Sequence, residues 1–118
     1  MFDVEINPQE VADEVSVVAH AAADKFFQEK LGGVDQYACG FAWVEVFPKF
    51  KGNTREGKAE RRVLEKIGFR KNYNGGYQLW NPAKYPCQNV DTLEVGARAA
   101  AYVLKSYGVD AYANSRLD

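Results

Sequence analysis

Apolar residues recur along this chain with two periods, and the switches between them mark its elements. From Val11 onward, Val11, Val15, Val18, Ala22 and Phe26 recur at helical spacing, and Val17, Ala21 and Phe27 widen the stripe. Asp13, Ser16, His20 and Asp24 share the opposite side. Asn7 is a good N-cap, Pro8 suits the first helical position and Glu10 sits at the third, so the spacing predicts a helix from Pro8 to about Lys30, stopped by Gly32-Gly33. So wide an apolar face predicts that the helix is buried along much of its girth or meets a second subunit.

Tyr37 to Phe47 alternates instead, which predicts a strand. One face carries Tyr37, Cys39, Phe41, Trp43, Glu45 and Phe47, while the other carries the small Ala38, Gly40, Ala42, Val44 and Val46. Asn53, with Glu56 three residues on, reads as the cap of a second helix that runs to Ile67 and ends at Gly68. Ala59, Val63, Leu64 and Ile67 form its core face, and Arg55, Lys58, Arg62 and Lys66 form a narrow basic stripe beside it. Phe69–Tyr73 and Gly76–Trp80 flank Asn74-Gly75, a strong hairpin signal. Asp91 reads as the cap of a third helix with a small face (Gly96, Ala97, Ala99, Ala100, Ala101) and Gly108 at its end, and Val109–Ala113 as a final short strand.

The predicted order is one helix followed by β-α-β-β-α-β. That is the order of a ferredoxin-like unit: a four-stranded antiparallel sheet with its two crossover helices on one face. The expectation is a single α+β domain spanning residues 1–118. The small faces of the first strand and third helix would meet, leaving Phe41, Trp43 and Phe47 on the far side, to be covered by the N-terminal helix or by a partner.

Composition agrees with a packed core: 118 residues, 47% hydrophobic and 14% aromatic. Cys39 and Cys87 form no CxxC pair, so two reduced thiols are expected, with no metal and no cofactor. The N-terminal MFDVEINPQE lacks a basic segment followed by an apolar one, so no secretory signal is read, and no apolar run is long enough to cross a bilayer. A cytoplasmic setting follows as the expectation.

Charge changes the picture more. Lys49–Lys71 holds nine Lys/Arg against three Asp/Glu, whereas the 48 residues before it hold two against nine, so a net charge of -1 conceals a basic block behind an acidic one. Lys49, Lys51, Asn53, Thr54, Arg55, Lys58 and Arg62 gather around the start of the second helix, where free N–H groups and the helix dipole favour an anion such as phosphate. A solvated basic face is the plain alternative, because neither GxxxxGK[ST] nor GxGxxG is present. Trp43, Tyr77 and Trp80 are stacking candidates on the two strands that would be central. A core packed under the first helix accounts for the same aromatics.

Two further clusters carry less. His20, with Ser16 and Asp24 on its face, reads as a surface histidine, and a Cys39–His20 pair would require the two to meet in space. Arg116 follows the last strand and would lie near the start of the first, or reach a partner, unless the tail is untethered.

The runs Gly40-Phe41-Ala42-Trp43-Val44, Lys51-Gly52-Asn53-Thr54, Gly68-Phe69-Arg70-Lys71, Leu79-Trp80-Asn81-Pro82 and Ser115-Arg116-Leu117-Asp118 resemble those of small uncharacterised proteins encoded in bacteriophage and prophage genomes. The resemblance covers roughly Ala38 to Asp118 and implies a setting, the interior of an infected bacterium, rather than an activity. Small proteins of that setting without catalytic signatures often act by binding. The expectation is therefore a non-enzymatic protein that binds a phosphate-bearing ligand, a nucleotide or nucleic acid. The alternative is a protein-interaction module or inhibitor of a host protein acting as a homodimer.

Overall fold

The computed structural model describes residues 6–36 and 38–118. The reading of Met1–Glu5 and the placing of Tyr37 lie outside them. The elements are α1 (Pro8–Leu31), β1 (Gly40–Val46), α2 (Arg55–Ile67), β2 (Arg70–Lys71), β3 (Tyr77–Trp80), α3 (Val90–Ser106) and β4 (Ala111–Leu117). They make an α+β fold of three helices and an open four-stranded antiparallel sheet in the order β2-β3-β1-β4. The central strands are β1 and β3.

The helix ends follow local chemistry. The Asn7 side-chain oxygen accepts the N–H groups of Gln9 and Glu10 at 3.0 and 3.4 Å, and α1 stops where Gly32 enters the left-handed region at φ 64. Two caps differ from the sequence reading by a residue or two. Thr54, not Asn53, caps α2: its hydroxyl accepts Gly57 N–H at 3.0 Å and donates to the Lys51 carbonyl at 2.6 Å. Asn89, not Asp91, caps α3, accepting Thr92 N–H at 2.8 Å. In both places the capping residue is the one whose oxygen the loop turns back over the first turn.

All three helices pack on one side of the sheet. Ala42, Val44 and Val46 of β1 share a single core cluster with Val11, Val15, Ala19 and Ala23 of α1, Val63, Leu64 and Ile67 of α2, and Ala97, Ala100 and Leu104 of α3. The buried stripe of α1 is thus rotated from the expected one: Val18 is exposed, and alanines take the contact. α1 packs on α3 around Gly96, where an added Cβ would touch Ala19 O at 3.5 Å and Ala23 Cβ at 3.6 Å on α1, and would collide at 2.6 Å with Ala83 Cβ of the loop that follows β3. Hydrogen bonds from Tyr85 to Asp24 (2.6 Å) and from Tyr107 to Glu14 (2.5 Å) tie α1 to the rest of the chain.

The final strand outruns its predicted length. Its seven residues pair with β1 from Val46↔Ala111 to Gly40↔Leu117, so Arg116 sits opposite Phe41 in the sheet. The Asn74-Gly75 pair does turn a hairpin: Asn72 N–H reaches the Gly76 carbonyl at 2.8 Å and Gly75 takes φ 90.

Candidate functional site

Strand alternation places Phe41, Trp43 and Glu45 on the side of β1 away from the helices. Register extends that face: Trp43 pairs with Trp80 and Glu45 with Gln78 on β3, while Phe41, Trp43 and Glu45 pair with Arg116, Asn114 and Tyr112 on β4. Among the described residues no helix or loop covers it. Trp80 is 45% exposed, Phe41 39% and Tyr112 53%.

The aromatics on this face are organised. The Trp43 and Trp80 rings stack with centroids 4.8 Å apart and planes 27° apart, and Phe41 meets Trp80 edge-on at 6.1 Å. Each indole is held by a neighbour: Trp43 Nε1–H donates to Glu45 at 3.1 Å and Trp80 Nε1–H to Gln78 at 3.0 Å. The Arg116 guanidinium lies over the Phe41 ring, 5.4 Å from its centroid. At the β4 edge, Asp110 pushes the Tyr112 hydroxyl up as a hydrogen-bond partner, and the charge of Lys49 pulls it back, so Lys49 lies within electrostatic reach of this edge. The arrangement offers flat π-surface with cations at its margins, which suits a planar ring bearing an anionic substituent.

The predicted residues divide accordingly. Trp43 and Trp80 come together. Tyr77 does not join them: it is 3% exposed on the opposite face, paired with Val46 and turned toward the helices, because it lies an odd number of positions from Trp80. Lys51, Asn53, Arg55, Lys58 and Arg62 are exposed around α2, on the helical side, Lys49 is exposed between α2 and the β4 edge, and Thr54 is occupied as the cap.

The start of α2 is also less open to an anion than its composition implies. The loop before it folds onto the helix, with Lys51 carbonyl against Gly57, where any Cβ would collide. The loop amides are taken as well: buried Glu60 accepts Lys49 N–H at 2.9 Å and Phe50 N–H at 3.1 Å. Arg61 donates to the Phe50 and Gly57 carbonyls at 2.9 Å each, so one of the nine cations of the block is structural.

His20 and Cys39 are not brought together. The His20 ring nitrogen Nδ1 sits 3.0 Å from the Ala83 carbonyl, in a groove with Ser16, Asp24 and Lys84, whereas Cys39 lines a cavity with Cys87 and Gln88. Among the described residues no three His, Cys, Asp or Glu side chains gather as metal ligands, and no helix is long and apolar enough to cross a membrane. Arg116, Asn114 and Gln78 enter the face unforeseen as a group. The signal was the alternation Tyr112, Asn114, Arg116, which a strand ending at Ala113 cuts short.

No family model, curated protein or solved structure matches this chain.

Proposed function

We propose that this chain is a non-enzymatic binding protein whose open sheet face stacks the bases of a nucleotide or single-stranded nucleic acid. The observation that carries the reading is the Trp43–Trp80 stack on the uncovered side of the two central strands, with Arg116 beside it. Every base has a π-face, so stacking on exposed aromatics retains single strands with little dependence on sequence. Arg116, Arg70 on the outer strand and Lys49 at the rim then serve the phosphates. The strand order β2-β3-β1-β4, with the aromatics on the central pair, supports reading α1 as an addition to a ferredoxin-like βαββαβ unit. The phage resemblance would place the ligand in the cytoplasm of an infected bacterium.

Trp43 and Trp80 are the only tryptophans of the chain, so tryptophan emission, excited selectively over the tyrosines, reports on this face alone. Titration with a short single-stranded oligonucleotide should quench it saturably, and added salt should weaken the binding. Unchanged fluorescence across a panel of nucleotides and oligonucleotides would end the reading.

A second reading, a homodimer or an interface for a host protein, is favoured by Val17 and Val18 on α1, exposed at 69% and 37%. A monomer at all concentrations by light scattering, with no host protein retained in a pull-down, would remove it.

A further inference from the structure

The two edges of the sheet are unlike. On one side β2 is only the dipeptide Arg70-Lys71, both residues exposed, the short and charged form in which a sheet edge resists pairing with other chains. On the other side β4 runs for seven residues without Pro or Lys, and its unbroken register with β1 leaves no bulge. Among the described residues no further strand pairs with its outer side.

Hydrogen-bond alternation says which groups that edge offers. Asp118 N–H donates inward to the Cys39 carbonyl at 3.1 Å, so Tyr112, Asn114 and Arg116 are the residues of β4 that bond to β1. The N–H and C=O groups of Ala113 and Ser115 therefore point outward. Ala111 N–H closes a tight turn on the Val109 carbonyl at 3.0 Å, so at that end the free edge begins with the Ala111 carbonyl. A second, antiparallel β4 meets these groups only when odd-numbered residues oppose odd-numbered ones.

Charge chooses between the two registers that keep the overlap long. A two-fold axis at Asn114 would set Asp110 against the partner's Asp118, two like charges. An axis at Ala113 sets Asp110 against the partner's Arg116, Tyr112 against the partner's Asn114 and Ala111 against the partner's Ser115. Among the described residues neither Asp110 nor Arg116 has an ion-pair partner in its own chain. Arg116 lies over the Phe41 ring, and Lys105, the cation of α3 that borders this strand, lies over the Tyr112 ring at 5.4 Å.

We infer that β4 is the edge on which a second copy of this chain docks, antiparallel about a two-fold axis at Ala113, so that one sheet runs through both protomers. Asp110 and the partner's Arg116 form a non-hydrogen-bonded pair, where opposite side chains come closest, and symmetry makes that contact twice. Both Trp43–Trp80 stacks then lie on the same side of the joined sheet. The surface is separate from Val17 and Val18 of α1, and the docking depends on no ligand.

Sedimentation equilibrium over a concentration series tests this. The wild type should self-associate, more weakly as salt rises. Asp110→Arg and Arg116→Asp should each weaken self-association roughly tenfold, because each sets like charges opposite one another twice. An equal mixture of the two single variants should recover wild-type association, since both contacts become attractive between unlike chains. Ala113→Pro removes an outward N–H that the single chain does not use, and should abolish association while circular dichroism still shows the fold. A wild type that stays monomeric at every concentration overturns the inference. So does self-association that survives either charge reversal, that the mixture fails to restore, or that Val17→Glu on α1 abolishes.

Discussion

Trp43 on β1 and Trp80 on β3 sit directly opposite each other in the sheet and stack at 4.8 Å on the side that none of the three helices covers. Their pairing follows from register, which puts both on the same face. Removing either ring should therefore remove binding surface without removing core. Trp80→Ala is expected to weaken single-stranded oligonucleotide binding by roughly 1–3 kcal/mol, the contribution of one base–aromatic stack. Fluorescence of the remaining tryptophan measures the affinity, and thermal melting should show a folded protein destabilised by about 1–2 kcal/mol through loss of the ring contacts.

Charge reversals should separate the sheet face from the basic stripe of α2. Arg116→Glu places a carboxylate over Phe41 and is expected to reduce affinity about tenfold and lower the salt slope by about one. Lys58→Glu, on the helical side, should change affinity by less than about threefold. A mobility-shift series at several salt concentrations reads both, and the reverse ranking would move the site to the start of α2.

Glu60 is 2% exposed and accepts two backbone N–H groups of the loop that leads into α2. Glu60→Ala leaves both donors unpaired and should cost roughly 2 kcal/mol or more by urea denaturation. Glu60→Gln keeps one acceptor oxygen and should cost less.

Asp35 holds the segment that starts α3. Its carboxylate accepts Asn89 Nδ2–H at 2.9 Å, Gln88 N–H at 2.9 Å and Asn89 N–H at 3.1 Å, and these bonds, the Asn89 side chain foremost, hold the carboxyl below its usual 3.8. A depressed folded-state value stabilises above the unfolded value, and that stabilisation is lost as pH falls through the folded one. Asp35→Asn should therefore melt at a lower temperature than wild type near neutral pH, and the difference should shrink below about pH 4. A gap that persists at low pH would assign the role of Asp35 to packing instead.

Gly96 tests the packing of α3 against the loop that follows β3. Alanine is the better helix former by about 1 kcal/mol. The new methyl would lie 2.6 Å from Ala83 Cβ, and overpacking of that kind costs roughly 1–3 kcal/mol. Gly96→Ala should thus be net destabilising, seen as a lower urea midpoint.

Local signals located most of the elements. Asn7-Pro8, Gly32-Gly33, Gly68 and Asn74-Gly75 act within a few residues of themselves, so α1, the end of α2 and the hairpin were legible from the chain alone. Caps were read less well, because which oxygen turns back depends on the loop: Thr54 and Asn89 prevailed over Asn53 and Asp91. The period of two in β1 correctly separated its small face from its aromatic one.

Other features required the third dimension. Alternation says that Tyr77 and Trp80 face opposite ways, but only register with β1 says which of them joins Trp43. The basic block was plain in the composition, yet Glu60 and Arg61 turn inward to hold its loop, and no count of charges shows that. The cavity that Cys39 and Trp80 both line arises from segments separated by dozens of residues. By itself the sequence determined what depends on neighbours along the chain: periodicity, turns, helix ends and the two-faced first strand. Only the tertiary structure decided where α1 packs, and hence that the Trp43–Trp80 face stays open. The physical reason is that burial depends on which distant surfaces meet, and here the alanines of α1 and α3 let the two helices pack together on the side already holding the core.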